Sequence, residues 1–155
     1  MAAVADLITK HLVFLRLPDA ASAPIVIVKG FLEIVHSENR GGVFGLAQGS
    51  SLWLVFVFLA GGLVIWFAHR KGNEGLTLQI ALGLVFAGAI GNGYDRMMFG
   101  YVRDFVNVYY WPGASPWPAF NVADAGICVG AAYIAIHAFF FAPCPKKAKA
   151  CKKGK

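Results

Sequence analysis

"LTLQIALGLVFAGAIGNGY", residues 76–94, is interrupted by only two strongly polar side chains, Gln79 and Asn92. A helix of about 18–20 apolar residues covers the hydrocarbon core of a bilayer, so this stretch predicts a membrane span. Two further stretches repeat the pattern. "SLWLVFVFLAGGLVIWFA" (51–68) carries no charge, and "FNVADAGICVGAAYIAIHAFFFA" (120–142) is broken only by Asn121, Asp124 and His137. "MAAVADLITKHLVFLRL" (1–17) is apolar too, but Asp6, Lys10 and Arg16 make it too charged, and its length too short, to span comfortably. Its basic residues follow the apolar stretch, so a signal peptide is not expected.

Composition agrees. The 155 residues are 58% hydrophobic and 14% charged, against roughly 45–50% and about 25% in a soluble domain. With 13 Phe and 4 Trp, lipid is the natural solvent for this surface. Lys and Arg collect in "HRKGNEG" (69–75) and "KKAKACKKGK" (146–155), which two spans separate. Both belong on one face, and the excess of basic residues makes it the cytoplasmic one. The net charge of +6 owes much to the tail, so no nucleic-acid partner is expected. The connections 18–50 and 97–119 then face outward. "PIVIVKGFLEIV" (24–35) is rich in β-branched residues and predicts short strands. "YYWPGASPWPAF" (109–120) suits the lipid–water interface, where Trp and Tyr settle. The expected fold is an all-α membrane protein, a four-transmembrane-helix bundle whose first helix is short or truncated, with a small outward β-rich segment at about 24–48. Residues 1–145 form the single membrane domain and 146–155 a basic cytoplasmic tail.

No cofactor or metal is expected. Cys128, Cys144 and Cys151 lack metal-ligand spacing and no His cluster accompanies them. Cys128 reads as a buried apolar thiol and His137 as a packing or interfacial residue.

The polar residues gather at the outward boundary. Asn92, Asp95 and Arg96 fall at i, i+3 and i+4 on one helix face. Asn121 and Asp124 repeat that spacing at the start of the last span. Asp104 lies in the connection between them, and Asn39 in "HSENRGGVFGLA" (36–47). Each has a structural reading: an Asp95–Arg96 ion pair, an Asn121 helix cap, a solvated loop acid at 104. Two aspartates with amides around them at one depth are harder to set aside, because charge at membrane depth is costly.

"ENRGGVF", "GAIGNGYDRMMFGYVRDF" and "FNVADAGI" resemble, in order and spacing, motifs of the lipoprotein signal peptidases (signal peptidase II): Asn-x-Gly-Ala-Ala-Phe, Gly-Asn-x-x-Asp-Arg with Val-x-Asp-Phe, and Phe-Asn-x-Ala-Asp. "DLITK" (6–10) partly matches a further Asp-Gln-x-Ser/Thr-Lys motif. The resemblance runs over essentially the whole chain. It implies a membrane aspartic endopeptidase at the outer, periplasmic face of the bacterial inner membrane. Such an enzyme cuts diacylglyceryl-modified prolipoproteins on the amino side of the lipidated Cys, with lipid-modified prolipoproteins and membrane lipids as partners. Carried over, the catalytic pair is Asp104 and Asp124. Asn39, Asn92, Arg96 and Asn121 become substrate-binding residues, and Asp6, Lys10 and Asp95 supporting ones.

The chemistry suits those residue types. Two close carboxyls share one proton because both cannot easily ionise, which leaves one as general base and the other as general acid. Leu7 departs from the motif Gln, Gly42-Val43 from Ala-Ala, and Arg103 adds a cation that would favour ionised Asp104. Only "MAAVA" precedes Asp6, so either the chain starts late or its first helix is stunted. The alternative function is a small proton- or ion-conducting protein using Asp95, Asp104 and Asp124 as a relay. The apolar inner half of the last span, "AAYIAI" (131–136), argues against a continuous path.

Overall fold

The computed structural model describes residues 1–41, 59, 61–62, 75–111 and 113–141. Apart from helical Leu59, Gly61 and Gly62, the expected span 51–68 lies outside the described residues. So do the basic loop 69–74, Gly42-Val43, Cys144, Cys151 and the tail 146–155.

Three helices and three strands are described. Helix α1, Ala2–Arg16, is inside out by the standards of a protein in water: its buried residues are Asp6 and Lys10. Val4, Ile8, Leu12 and Leu15 instead form an exposed apolar stripe. That polarity is stable only where the surroundings are lipid and the interior offers charges a partner.

Helix α2, Leu76–Phe99, and helix α3, Val122–Phe141, are both long and apolar enough to cross a bilayer. Only 11% of the apolar window of α3 is buried within the chain, so Val129, Ile136, Phe139 and Phe140 stand exposed. The two helices approach closely through small residues. A Cβ at Gly130 would sit 2.6 Å from the Ala81 carbonyl oxygen, and one at Gly88 2.6 Å from that of Ala123. In lipid, where no hydrophobic effect drives helices together, such close backbone contact supplies the packing energy. Cys128, expected as a buried thiol, is exposed on this helix, because the bilayer already gives an apolar side chain its preferred solvent.

Strands β1 (Ile25–Val28), β2 (Leu32–Asn39) and β3 (Val102–Val108) form one antiparallel sheet in that order. The strands expected in 24–35 are thus present. The sheet, however, extends beyond the segment 24–48, because 102–108 supplies its third strand. Helix α2 ends at Gly100 in the left-handed region, φ 78°, and its N–H closes on the Arg96 carbonyl. That turn sends the chain directly into β3. In the β2–β3 register Ser37 faces Asp104 and Asn39 faces Val102. The sheet therefore delivers Asn39 and Asp104 together to the C-terminal end of α2 and the N-terminal end of α3.

Candidate active site

Asp104 is not the solvated loop acid that its charged neighbourhood suggests. It sits within β3 and is 1% exposed. Asp124 is half-buried in the first turn of α3. One residue bridges them. Asn121 Nδ2 donates to Asp104 Oδ1 at 2.7 Å, and the Asn121 backbone N–H donates to Asp124 Oδ2 at 3.1 Å. Asn121 Oδ1 in turn accepts the Asp124 N–H at 3.0 Å. This reciprocal pair at i and i+3 is a capping box, so the cap read at Asn121 is also what aims the Asp124 carboxylate.

Every oxygen of the pair receives an N–H. Asp104 Oδ2 accepts from Asn39 Nδ2 at 3.0 Å, and Asp124 Oδ1 from Asn92 Nδ2 at 2.7 Å. The amides expected to grip a substrate main chain are thus directed at the two carboxyl groups. Arg96, expected in the same role, donates through Nη2 to the Gly41 carbonyl at 3.2 Å, holding the chain that follows β2.

Behind the pair lies a buried ionic layer. Lys10 Nζ is 2.7 Å from Asp6 Oδ2, 2.9 Å from Asn92 Oδ1 and 3.4 Å from Asp95 Oδ2. Asp6 Oδ1 accepts the Ala123 N–H at 2.8 Å, satisfying a donor that the start of α3 leaves without a helical partner. Asp95 also receives Arg103, through Nη2 at 2.8 Å, Nε at 3.2 Å and the backbone N–H at 2.9 Å. The Arg103 guanidinium lies 4.5 Å from the Phe99 ring centroid, a cation–π distance.

Two expectations change here. Arg103 does not act on Asp104, since its side chain turns to Asp95, and no Asp95–Arg96 ion pair forms. Asp104 is accordingly not lowered. Burial first, then the negative charge of Asp124, raise its pKa to about 7, because both terms penalise the ionised form. Sequence reasoning also missed the Asp95–Arg103 tie. The signal was present in Val102, Val106 and Val108, whose even spacing and β-branching indicate a strand that would carry Arg103 back over the end of α2.

A half-exposed carboxyl beside a buried one whose pKa is raised to about 7, both fixed by amides, can do acid–base work on a bound water. A family model described as signal peptidase (SPase) II matches residues 1–140. The chain belongs to the signal peptidase II family. The lipoprotein signal peptidase of Desulforapulum autotrophicum is 38% identical over 141 residues, covering 87% of this chain and 85% of that protein. That of Nitratidesulfovibrio vulgaris is 38% identical over 155 residues, covering 95% and 91%. A solved bacterial membrane enzyme superposes with a TM-score of 0.76 at 25% identity, over 92% of this chain and 89% of its own. This signal peptidase II is therefore a membrane hydrolase, and the ion-relay alternative finds no support.

Proposed function

We propose that Asp104 and Asp124 are the catalytic pair of this signal peptidase and that its substrates are prolipoproteins bearing a diacylglyceryl-Cys, cut on the amino side of that Cys. The enzyme removes the signal peptides of lipoproteins, as its family membership entails. The observation that carries the residue assignment is the bridging Asn121, which holds one oxygen of each carboxyl, that of Asp104 through its side-chain amide and that of Asp124 through its backbone N–H.

Burial and the charge of Asp124 raise Asp104 to about 7, so below that pH Asp104 keeps the shared proton and Asp124 serves as the carboxylate. A water oxygen attacks the scissile carbonyl carbon while Asp124 takes its proton and Asp104 protonates the carbonyl oxygen. The neutral diol then collapses. Its C–N bond breaks as the nitrogen takes the proton from Asp124, and one diol hydroxyl returns a proton to Asp104. The pair ends as it began. Asn39, Asn92 and Asn121 keep the four oxygens in place throughout, which is pre-organisation for the transfer.

The apolar flanks of α1 and α3 beside Asp124 support lateral entry of the acyl chains from the bilayer. Exposed Tyr110, Trp111 and Trp117 support seating this end of the molecule at an interface. The site then belongs to the outer face of the bacterial inner membrane, with the C-terminus cytoplasmic, as the basic segments 69–75 and 146–155 favour. Transfer between bilayer and protein changes the acyl environment little, so the chains position the peptide more than they add affinity. Misplacement by an ångström costs about 10²-fold. Purified enzyme should cut a diacylglyceryl prolipoprotein about 10²-fold faster than the same precursor with a free thiol, read by gel shift in one detergent. Equal rates would overturn the lipid-dependent reading.

A further inference from the structure

Lys10 is fully buried and pairs with Asp6 at 2.7 Å. Its position is nonetheless informative because of what surrounds the pair. Helix α1 contributes Asp6 and Lys10, α2 contributes Asp95 and Arg96, β3 contributes Arg103 and Asp104, and α3 contributes Asp124. From β2 comes the neutral Asn39 amide, while the Glu38 carboxylate turns outward to Arg40 at 2.7 Å. Among the described residues four carboxyl groups (Asp6, Asp95, Asp104, Asp124) therefore meet three cations (Lys10, Arg103 and Arg96, whose charge acts on Asp124, Asp104 and Asp95), and 4 − 3 leaves one proton for the cluster to be neutral. In a low-dielectric site an uncompensated charge is expensive, so the neutral count is the favoured one. One proton is also the number that the acid–base pair requires.

We propose that Lys10 is a positioning residue that sets the proton count of the Asp104–Asp124 pair and aims Asn92 at Asp124. The aiming follows from donor chemistry. An ammonium can only donate, so Lys10 Nζ at 2.9 Å fixes Asn92 Oδ1 toward itself and leaves Nδ2 to donate to Asp124 at 2.7 Å. Asn121 Nδ2, 3.1 Å from the same Asn92 Oδ1, reinforces that orientation. The proposal rests on the catalytic pair assigned above.

The experiment is a pH–rate profile of the purified enzyme on a diacylglyceryl prolipoprotein, for Lys10→Met and for the charge-balanced double variant Lys10→Met with Asp6→Asn. Removing a cation makes the pair hold its protons to higher pH, so the bell of Lys10→Met should move upward by about one pH unit or more. At pH 7 its kcat should fall at least tenfold with KM within twofold. The double variant has three carboxyls against two cations, and 3 − 2 restores one proton. Its bell should return to the wild-type pH, with kcat still reduced by the loosened Asn92. A residue that only held helices together would lower the amount of folded enzyme without moving the bell. An unmoved bell in folded Lys10→Met, a loss confined to KM, or failure of both variants to accumulate as folded protein would each overturn the proposal. Asp124→Asn, assayed alongside, separates the two levels: an active Asp124→Asn would remove the catalytic pair itself.

Discussion

Asp104 shows how environment rather than residue type sets a role. An ordinary aspartate, with a pKa of 3.8, would be ionised at neutral pH and useless as an acid, whereas here burial and the neighbouring Asp124 carry it to about 7. In the proposed mechanism the general acid is then lost as pH rises through that value. Activity on the lipidated precursor should fall above about pH 7, close to tenfold per unit once Asp104 is ionised, while the half-exposed Asp124 remains a base. A rate that holds constant to well above that pH would show that Asp104 does not supply the proton. The same shift affects stability. Between 3.8 and about 7 the folded chain holds a proton at Asp104 that the unfolded chain has released. The stabilising contribution of Asp104 is therefore complete below 3.8 and is lost as pH rises through about 7. At this scale the sequence was informative about which polar residues gather, since Asn39, Asn92, Asp95, Asp104, Asn121 and Asp124 do come together. Their partners were not legible. That Arg103 reaches Asp95 instead of Asp104 depends on strand β3, which puts neighbouring side chains on opposite faces.

Among the elements, the spans at 76–94 and 120–142 were legible because apolar length is a one-dimensional property. The cytoplasm-facing and outward assignments drew on charge alone, and the sheet was harder because its third strand comes from a distant segment. The α2–α3 pair depends on glycine for close approach rather than for flexibility. Any side chain at Gly130 meets the Ala81 carbonyl oxygen at 2.6 Å and Val85 Cγ2 at 2.8 Å, and backbone there cannot yield. Gly130→Val should therefore lower the thermal midpoint in detergent, by a cost of about 1–3 kcal/mol for overpacking a close interface. Gly83→Ala, with nothing within 4 Å of the new methyl group, should leave the midpoint unchanged or slightly raised. Equal effects of the two would mean that α2 and α3 do not meet along Gly88 and Gly130.

As a whole molecule the chain reverses the pattern of a protein in water. Asp6, Lys10, Asp95, Asp104 and Asn121 are buried, while Val4, Leu12, Leu15, Ile136 and Phe139 face outward. In a membrane protein the surface can be apolar, so the interior is free to hold an ionic layer that fixes a pair of carboxyls. The entire arrangement converges on Asp104 and Asp124, and removing the carboxyl chemistry of either one while keeping its shape addresses it without disturbing the helices. Asp104→Asn and Asp124→Asn, purified in detergent with wild-type thermal midpoints, should each cleave the diacylglyceryl prolipoprotein at least about 10²–10⁴-fold more slowly than the parent enzyme. Cleavage by either folded variant at the wild-type rate would contradict an acid–base pair at these positions.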